Sequence, residues 1–241
     1  MMFQNETSYT VKEKIDESQI AILPIGAVEA HGPHLPLGTD NYLAERLAEK
    51  VAARTGALVL PTLPYGQVWS LKNFPGSINI TNESLIRFLF DMGISLYEQG
   101  FRLFVMLNGH LGNAVALKEA ARQLYNKFPD FRVLYLFYPG VKQVTEEVRE
   151  TPTAHTTYFH ACEIETSYMQ YLAEEFVDMS KAISDIPHIP PSADITPIPW
   201  EMFTSSAVLG DATLATKEKG EKIIKIAIKN MVQLIKEMKG E

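Results

Sequence analysis

Four short apolar runs recur along the chain, at 19–25 (QIAILPI), 57–60 (ALVL), 101–107 (FRLFVML) and 131–137 (FRVLYLF). Runs of this length bounded by turn residues read as buried strands, because a helix needs a longer segment to bury one face. Between them lie segments with helical periodicity. Residues 40–54 (DNYLAERLAEKVAAR) place Leu43, Leu47 and Val51 on one face, with Asp40 at the start and Gly56 just past the end, as helix termini favour. Thr81 with 83–98, then 113–128, 158–175 and 216–239, read as further helices, and Gly100 ends the first of these. Residues 61–77 and the proline-rich 186–200 read as irregular loops. Strands alternating with helices predict an α/β fold with a mostly parallel sheet covered on both faces. No repeat or linker interrupts the pattern, so residues 1–241 are expected to form a single domain.

Composition narrows the function. Hydrophobic residues make up 46% and charged residues 21% of the 241 residues, enough for a full core. The net charge of -7 repels phosphate backbones and argues against nucleic acid as a partner. Cys162 is the single cysteine, so no internal disulfide can form. The polar N-terminus lacks a signal peptide's apolar stretch, and no run is long enough to span a bilayer. A cytoplasmic protein without a membrane partner is expected.

The stretch directly after the first predicted strand, VEAHGPHLPLGTD (28–40), carries the chemistry. In extended chain, Glu29 and His31 point to the same side. Asp40 returns at the next helix start, after a loop stiffened by Pro33 and Pro36. His110 follows the third predicted strand, so it falls on the same sheet edge, where α/β folds bind ligands. One carboxylate can bridge two cations, and mixed nitrogen and oxygen ligands suit zinc, manganese or iron. Taken singly, each residue reads more readily as hydrogen-bonded scaffold than as a ligand; the set at two strand ends points to a metal site. His34 is read as capping the loop or lining the pocket. A second cluster, YFHACEIETSYM (158–169), holds His160, Glu163 and Glu165. On one helix His160 and Glu163 would share a face. Glu163 then reads as a metal ligand and His160 as a substrate contact or proton donor, the alternative being an ordinary acidic helix N-terminus. Cys162 reads as buried filler.

These pieces together resemble the creatininase (creatinine amidohydrolase) family. The matching segments are LPIGAVEAHGPHLPLGTD, FPGS, NGHLGN, HACEIETS and GDATLATKEKG, spread from Leu23 to Gly220. The resemblance implies a three-layer α/β/α fold, a cytoplasmic enzyme, homo-oligomers that are often hexamers, and two divalent metal ions (Zn, Mn or Fe) per chain. It implies that Glu29 and His110 bind one metal, that His31 binds the other and that Asp40 bridges them. It implies hydrolysis of a C–N (amide, formamide or cyclic amide) bond of a small polar substrate through a metal-bridging hydroxide.

Two positions depart from the pattern. Creatininase carries a glutamate where this chain has Gly112, and Glu163 is the expected replacement ligand. Many relatives have a histidine where this chain has Leu71, which leaves Trp69 and Lys72 as expected specificity residues. The departures resemble relatives that are not creatinine enzymes: a formamide hydrolase, a peptidase that matures mycofactocin, and a C–C hydrolase acting on a dehydro-inosose. C–C hydrolysis or peptide cleavage on the same metals is therefore the alternative activity, with a non-catalytic metal-binding protein the remaining one. His160 is expected to protonate the leaving nitrogen, and Glu165 to orient His160 or a ligand. Asn108 and Asn113 are expected to fix the loop around His110.

Overall fold

The computed structural model describes residues 2–240. At its centre is a four-stranded parallel sheet in the order β2-β1-β3-β4, formed by β1 (Ile20–Ile25), β2 (Leu58–Val59), β3 (Leu103–Asn108) and β4 (Arg132–Leu136). Every residue of β1 and β3 is buried. That is why these strands read as apolar runs, broken only by Asn108 at the end of β3, rather than alternating: helices cover both faces of a parallel sheet.

Side chains alternate across the sheet and feed two cores. Ile20 and Ile22 of β1 pack with Leu43, Leu47 and Val51 of α2 (Thr39–Thr55) and with Ile223, Ile224 and Met231 of α7 (Lys217–Lys239). Ala21, Leu23 and Ile25 point the other way. They meet Val11 and Ile15 of α1 (Ser8–Ser18), Leu85 and Leu89 of α3 (Asn82–Glu98), and Leu117 and Leu124 of α4 (Ala114–Lys127). The result is the expected three-layer α/β/α arrangement. The strand order reverses between β1 and β3, so a crevice opens at their carboxyl ends.

Local signals explain most helix ends. Thr81 and Thr216 cap α3 and α7 by accepting the backbone N–H of Ser84 and Lys219. Gly56 closes α2 in the left-handed conformation. Two helices were not anticipated: α1, whose buried side consists of Val11, Ile15 and Ser18, and the short α5 (Lys142–Val148). The predicted helix 158–175 is shorter in the fold. It forms α6, Glu163–Leu172, with Cys162 at its N-cap position. Residues before it are not helical: His160 forms an isolated antiparallel bridge with Leu209, and Ala161 has a φ of 46°. No helix among the described residues is long and apolar enough to cross a membrane.

Candidate metal centre

Loops at the carboxyl ends of β1 and β3 bring the ligand-type residues together. The segment after β1 is pinned on both sides: the Glu29 N–H donates to Leu37 O at 3.0 Å, and the Ala30 N–H to Ser77 Oγ at 3.0 Å. Gly38 occupies the N-cap position of α2, which places Asp40 in the first turn. After β3, Gly109 passes so close to the Asp40 carbonyl that a Cβ there would collide with it. Asn108 and Asn113 fix this loop as expected. Asn108 Oδ1 accepts the His110 N–H at 3.1 Å, and Asn113 Nδ2 donates to Gly26 O at 3.0 Å.

Each imidazole is oriented by a backbone carbonyl, which can only accept. His31 Nδ1 donates to Glu29 O (3.1 Å), so Nε2 turns inward, 3.4 Å from Asp40 Oδ1 and 3.6 Å from Glu165 Oε2. His110 Nε2 donates to Gln67 O (2.7 Å), so Nδ1 turns inward, 3.1 Å from both Glu29 Oε1 and Asp40 Oδ2. His160 Nε2 donates to Ala30 O (2.7 Å), leaving Nδ1 3.7 Å from Glu29 Oε1 and 4.0 Å from Glu165 Oε2. These contacts define overlapping triads of potential ligand atoms: Glu29–Asp40–His110, His31–Asp40–Glu165 and Glu29–His31–His160, each within 4.8 Å. Asp40 belongs to the first two, with Oδ2 facing His110 and Oδ1 facing His31.

Three carboxylates buried this closely repel one another and have lost their hydration. The histidines carry the compensating charge. Burial alone would lower the His31 pKa, but Asp40, Glu165 and Glu29 outweigh it and raise it to about 10. Burial opposes the proton on His110 too, and Glu29 and Asp40 hold its pKa well above the ordinary value. Asp40 is held below the usual carboxylate range; burial works against this, and the neighbouring charges of His31 and His110 prevail. Burial, reinforced by Asp40 and Glu29, lifts Glu165 to about 7 against the pull of His31. Burial and then the His31 charge push His160 down to about 4, so it is neutral near pH 7. Protons do not satisfy the cluster fully: His31 Nε2 and Asp40 Oδ2 are buried without a hydrogen-bond partner. Unpartnered ligand atoms facing a common point in two nitrogen and oxygen triads fit a pair of divalent cations.

The structure does not bring Glu163 to this cluster. The reading of Glu163 as a ligand assumed that His160 and Glu163 lie on one helix, and α6 begins only at Glu163. Its buried carboxylate instead pairs with Lys219 Nζ at 2.6 Å and accepts the backbone N–H groups of Glu150 (3.0 Å) and Thr151 (3.1 Å). Glu165, two residues on, points into the centre and accepts the Ala161 N–H at 2.6 Å. Gly112 leaves no room for a ligand, since a Cβ there would collide with Gln67 O and His110 Nε2. His34 lies outside the cavity, with Nε2 2.9 Å from Thr166 Oγ1. Trp69 and Lys72 also lie outside it, stacked on each other at 5.3 Å, whereas Leu71 lines it. Trp200 lines it too and meets the His160 ring edge to face at 5.3 Å. Sequence reasoning passed over Trp200; its only signal was a tryptophan closing the proline-rich loop.

Residues 4–235 match the family model Creatininase, described as creatinine amidohydrolase. The chain is 30% identical to the creatinine amidohydrolase of Pseudomonas putida over 90% of this chain and 89% of that protein. It is 27% identical to the 3-dehydro-scyllo-inosose hydrolase of Thermotoga maritima over 98% of this chain and 83% of that protein. A mutant creatininase of "Zn-Zn type" superposes with a TM-score of 0.89 at 26% identity, covering 98% of this chain and 97% of that one. The chain belongs to the creatininase family of hydrolases.

Proposed function

We propose that this chain is a metal-dependent hydrolase of a C–N bond in a small amide, formamide or cyclic amide. The observation that carries the reading is the split of Asp40 between two triads whose inward-facing His31 Nε2 and Asp40 Oδ2 have no hydrogen-bond partner. Glu29, Asp40 and His110 would hold one divalent cation, and His31, Asp40 and Glu165 the other. Glu165 thus takes the ligand role assigned to Glu163 from the sequence. Bound there, a pair of divalent cations supplies Lewis acidity toward a carbonyl and lowers the pKa of water.

The remaining work falls to the protein. His31 and His110 are locked by the carbonyls of Glu29 and Gln67 into the tautomers that present Nε2 and Nδ1 to the centre. His160 commits its Nε2 proton to Ala30 O, so Nδ1 is an acceptor in the resting protein. It therefore takes a proton at Nδ1 from the attacking water first, and returns it to the leaving nitrogen afterwards. Glu29 and Glu165 flank this nitrogen and stabilise its charged form between the two transfers. The apolar walls of Leu71, Phe159 and Trp200 limit water around the reacting bond. The family resemblance further supports assembly of the chain as a homo-oligomer.

Elemental analysis of the wild type beside Asp40→Asn tests the centre. The expected result is two zinc, manganese or iron ions per wild-type chain and loss of both from the variant, because the bridging carboxylate serves both. Amine release from formamides and cyclic amides by the loaded wild type tests the reaction. Protein that takes up no stoichiometric metal would overturn the reading.

A further inference from the structure

The cavity above the centre is small, about 250 Å³. That lies below the roughly 300–1,000 Å³ of sites for drug-sized ligands, so it admits little more than one ring and its amide. The charged side chains that line it are the carboxylates and histidines of the centre; none of its lining residues is lysine or arginine. A phosphate or carboxylate on the non-reacting end of a substrate would be buried there without a cation to pair with. Val68, Leu71, Phe137, Phe159 and Trp200 form an apolar side of the wall. A polyol would leave hydroxyls facing carbon on that side, at the cost of its hydrogen bonds to water. Among the described residues, the side chains of Gln67, Ser70 and Tyr158 line the cavity and carry no hydrogen bond.

Trp200 is held firmly. Its ring packs with Tyr158 and Phe203 at 6.0 Å each. The Thr204 N–H donates to its carbonyl at 2.9 Å, and the neighbouring Glu201 accepts from Asn73. A rigid indole beside His160 offers a platform for a flat ring.

We infer that the substrate of this site is a small uncharged amide whose non-reacting part is a flat aromatic ring packed against Trp200, with a single polar substituent met by Gln67, Ser70 or Tyr158. This rests on the reading of the cluster as a cation centre.

Hydroxamates that share one cation-binding head and differ in their tails separate the two claims. On metal-loaded protein, benzohydroxamate is expected to bind about tenfold or more tighter than acetohydroxamate, as burying and stacking one ring provides. Gluconohydroxamate should bind no tighter than acetohydroxamate, and a para-phosphonate on the benzo compound should weaken it. In Trp200→Ala the benzo-to-aceto ratio should fall to about twofold or less, and Trp200→Phe should restore most of it. Equal binding of the benzo and aceto compounds, or tighter binding of the phosphonate or the polyol, would overturn the substrate class and leave the cation centre standing. Failure of every hydroxamate, acetohydroxamate included, would overturn the centre and the inference with it. If Trp200→Ala does not fold, the wild-type series decides alone.

Discussion

Asp40 is the residue on which the site turns, since its two oxygens face different histidines. Without cations, Asp40, Glu29 and Glu165 hold protons on His31 and His110 near pH 7. Cation uptake must displace these protons, so titration calorimetry in buffers of different ionisation enthalpy should register release of about two protons per chain at pH 7. No release would contradict the ligand set. The raised pKa values also set the pH dependence of the chelator-treated protein. A group whose pKa is higher folded than unfolded stabilises below its unfolded pKa and loses that contribution as pH rises through the folded one. For Glu165 the window runs from 4.5 to about 7, and for His31 from 6.5 to about 10. The depressed pKa of His160 acts in the opposite sense between about 4 and 6.5, so the melting temperature of the cation-free protein should fall with rising pH above pH 6.5, through the His31 window. A second pair of outcomes separates the two glutamates. Glu165→Gln should lose metal. Glu163→Gln should keep both metals and lose about 1–2 kcal/mol of stability in urea unfolding, because the charge-assisted bond to Lys219 is lost while Lys219 keeps Glu150 and the Leu214 carbonyl.

At the scale of elements, α6 and α7 form the contact that aims Glu165. Gly220 of α7 lies so near the Ser167 carbonyl of α6 that a Cβ would collide with it. In an exposed helix Gly→Ala stabilises by about 1 kcal/mol; here Gly220→Ala should cost about 2 kcal/mol or more, since the helices must separate. Urea unfolding reads the sign directly, and a stabilised variant would refute the close contact. The strands and the longer helices were legible because burial on one or two faces leaves a period in the sequence. The starts of α3 and α7 were legible because Thr81 and Thr216 are capping residues of local action. The start of α6 was not. Cys162 makes no side-chain cap, and the chain before it is drawn into a bridge with Leu209, 49 residues downstream. The helix period was thus extended over His160, where it does not apply.

Across the whole molecule, the centre ties together the loop after β1, the start of α2, the loop after β3 and the start of α6. Ligands that bind only the folded chain stabilise it by mass action, about 4 kcal/mol at a thousandfold excess over Kd. Chelation should lower the melting temperature by roughly 10 °C for a chain of this size, and added zinc should restore it. An unchanged melting temperature would show that no cation links these segments. The sequence by itself determined the alternation of strands and helices, and with it the sheet edge where ligand groups collect. It also determined that Glu29, His31 and Asp40 come to one point, because they are joined by twelve residues of constrained loop. Only the tertiary structure decided between Glu163 and Glu165. The two occupy one turn of α6 and point in different directions, and which direction faces the cluster of His31 and Asp40 depends on where α6 docks. Lys219, reaching from α7, takes the first, and His31 takes the second. Trp200 and the absence of a cation from the cavity wall were decided there too, since the wall is assembled from segments far apart in the chain that no local period connects.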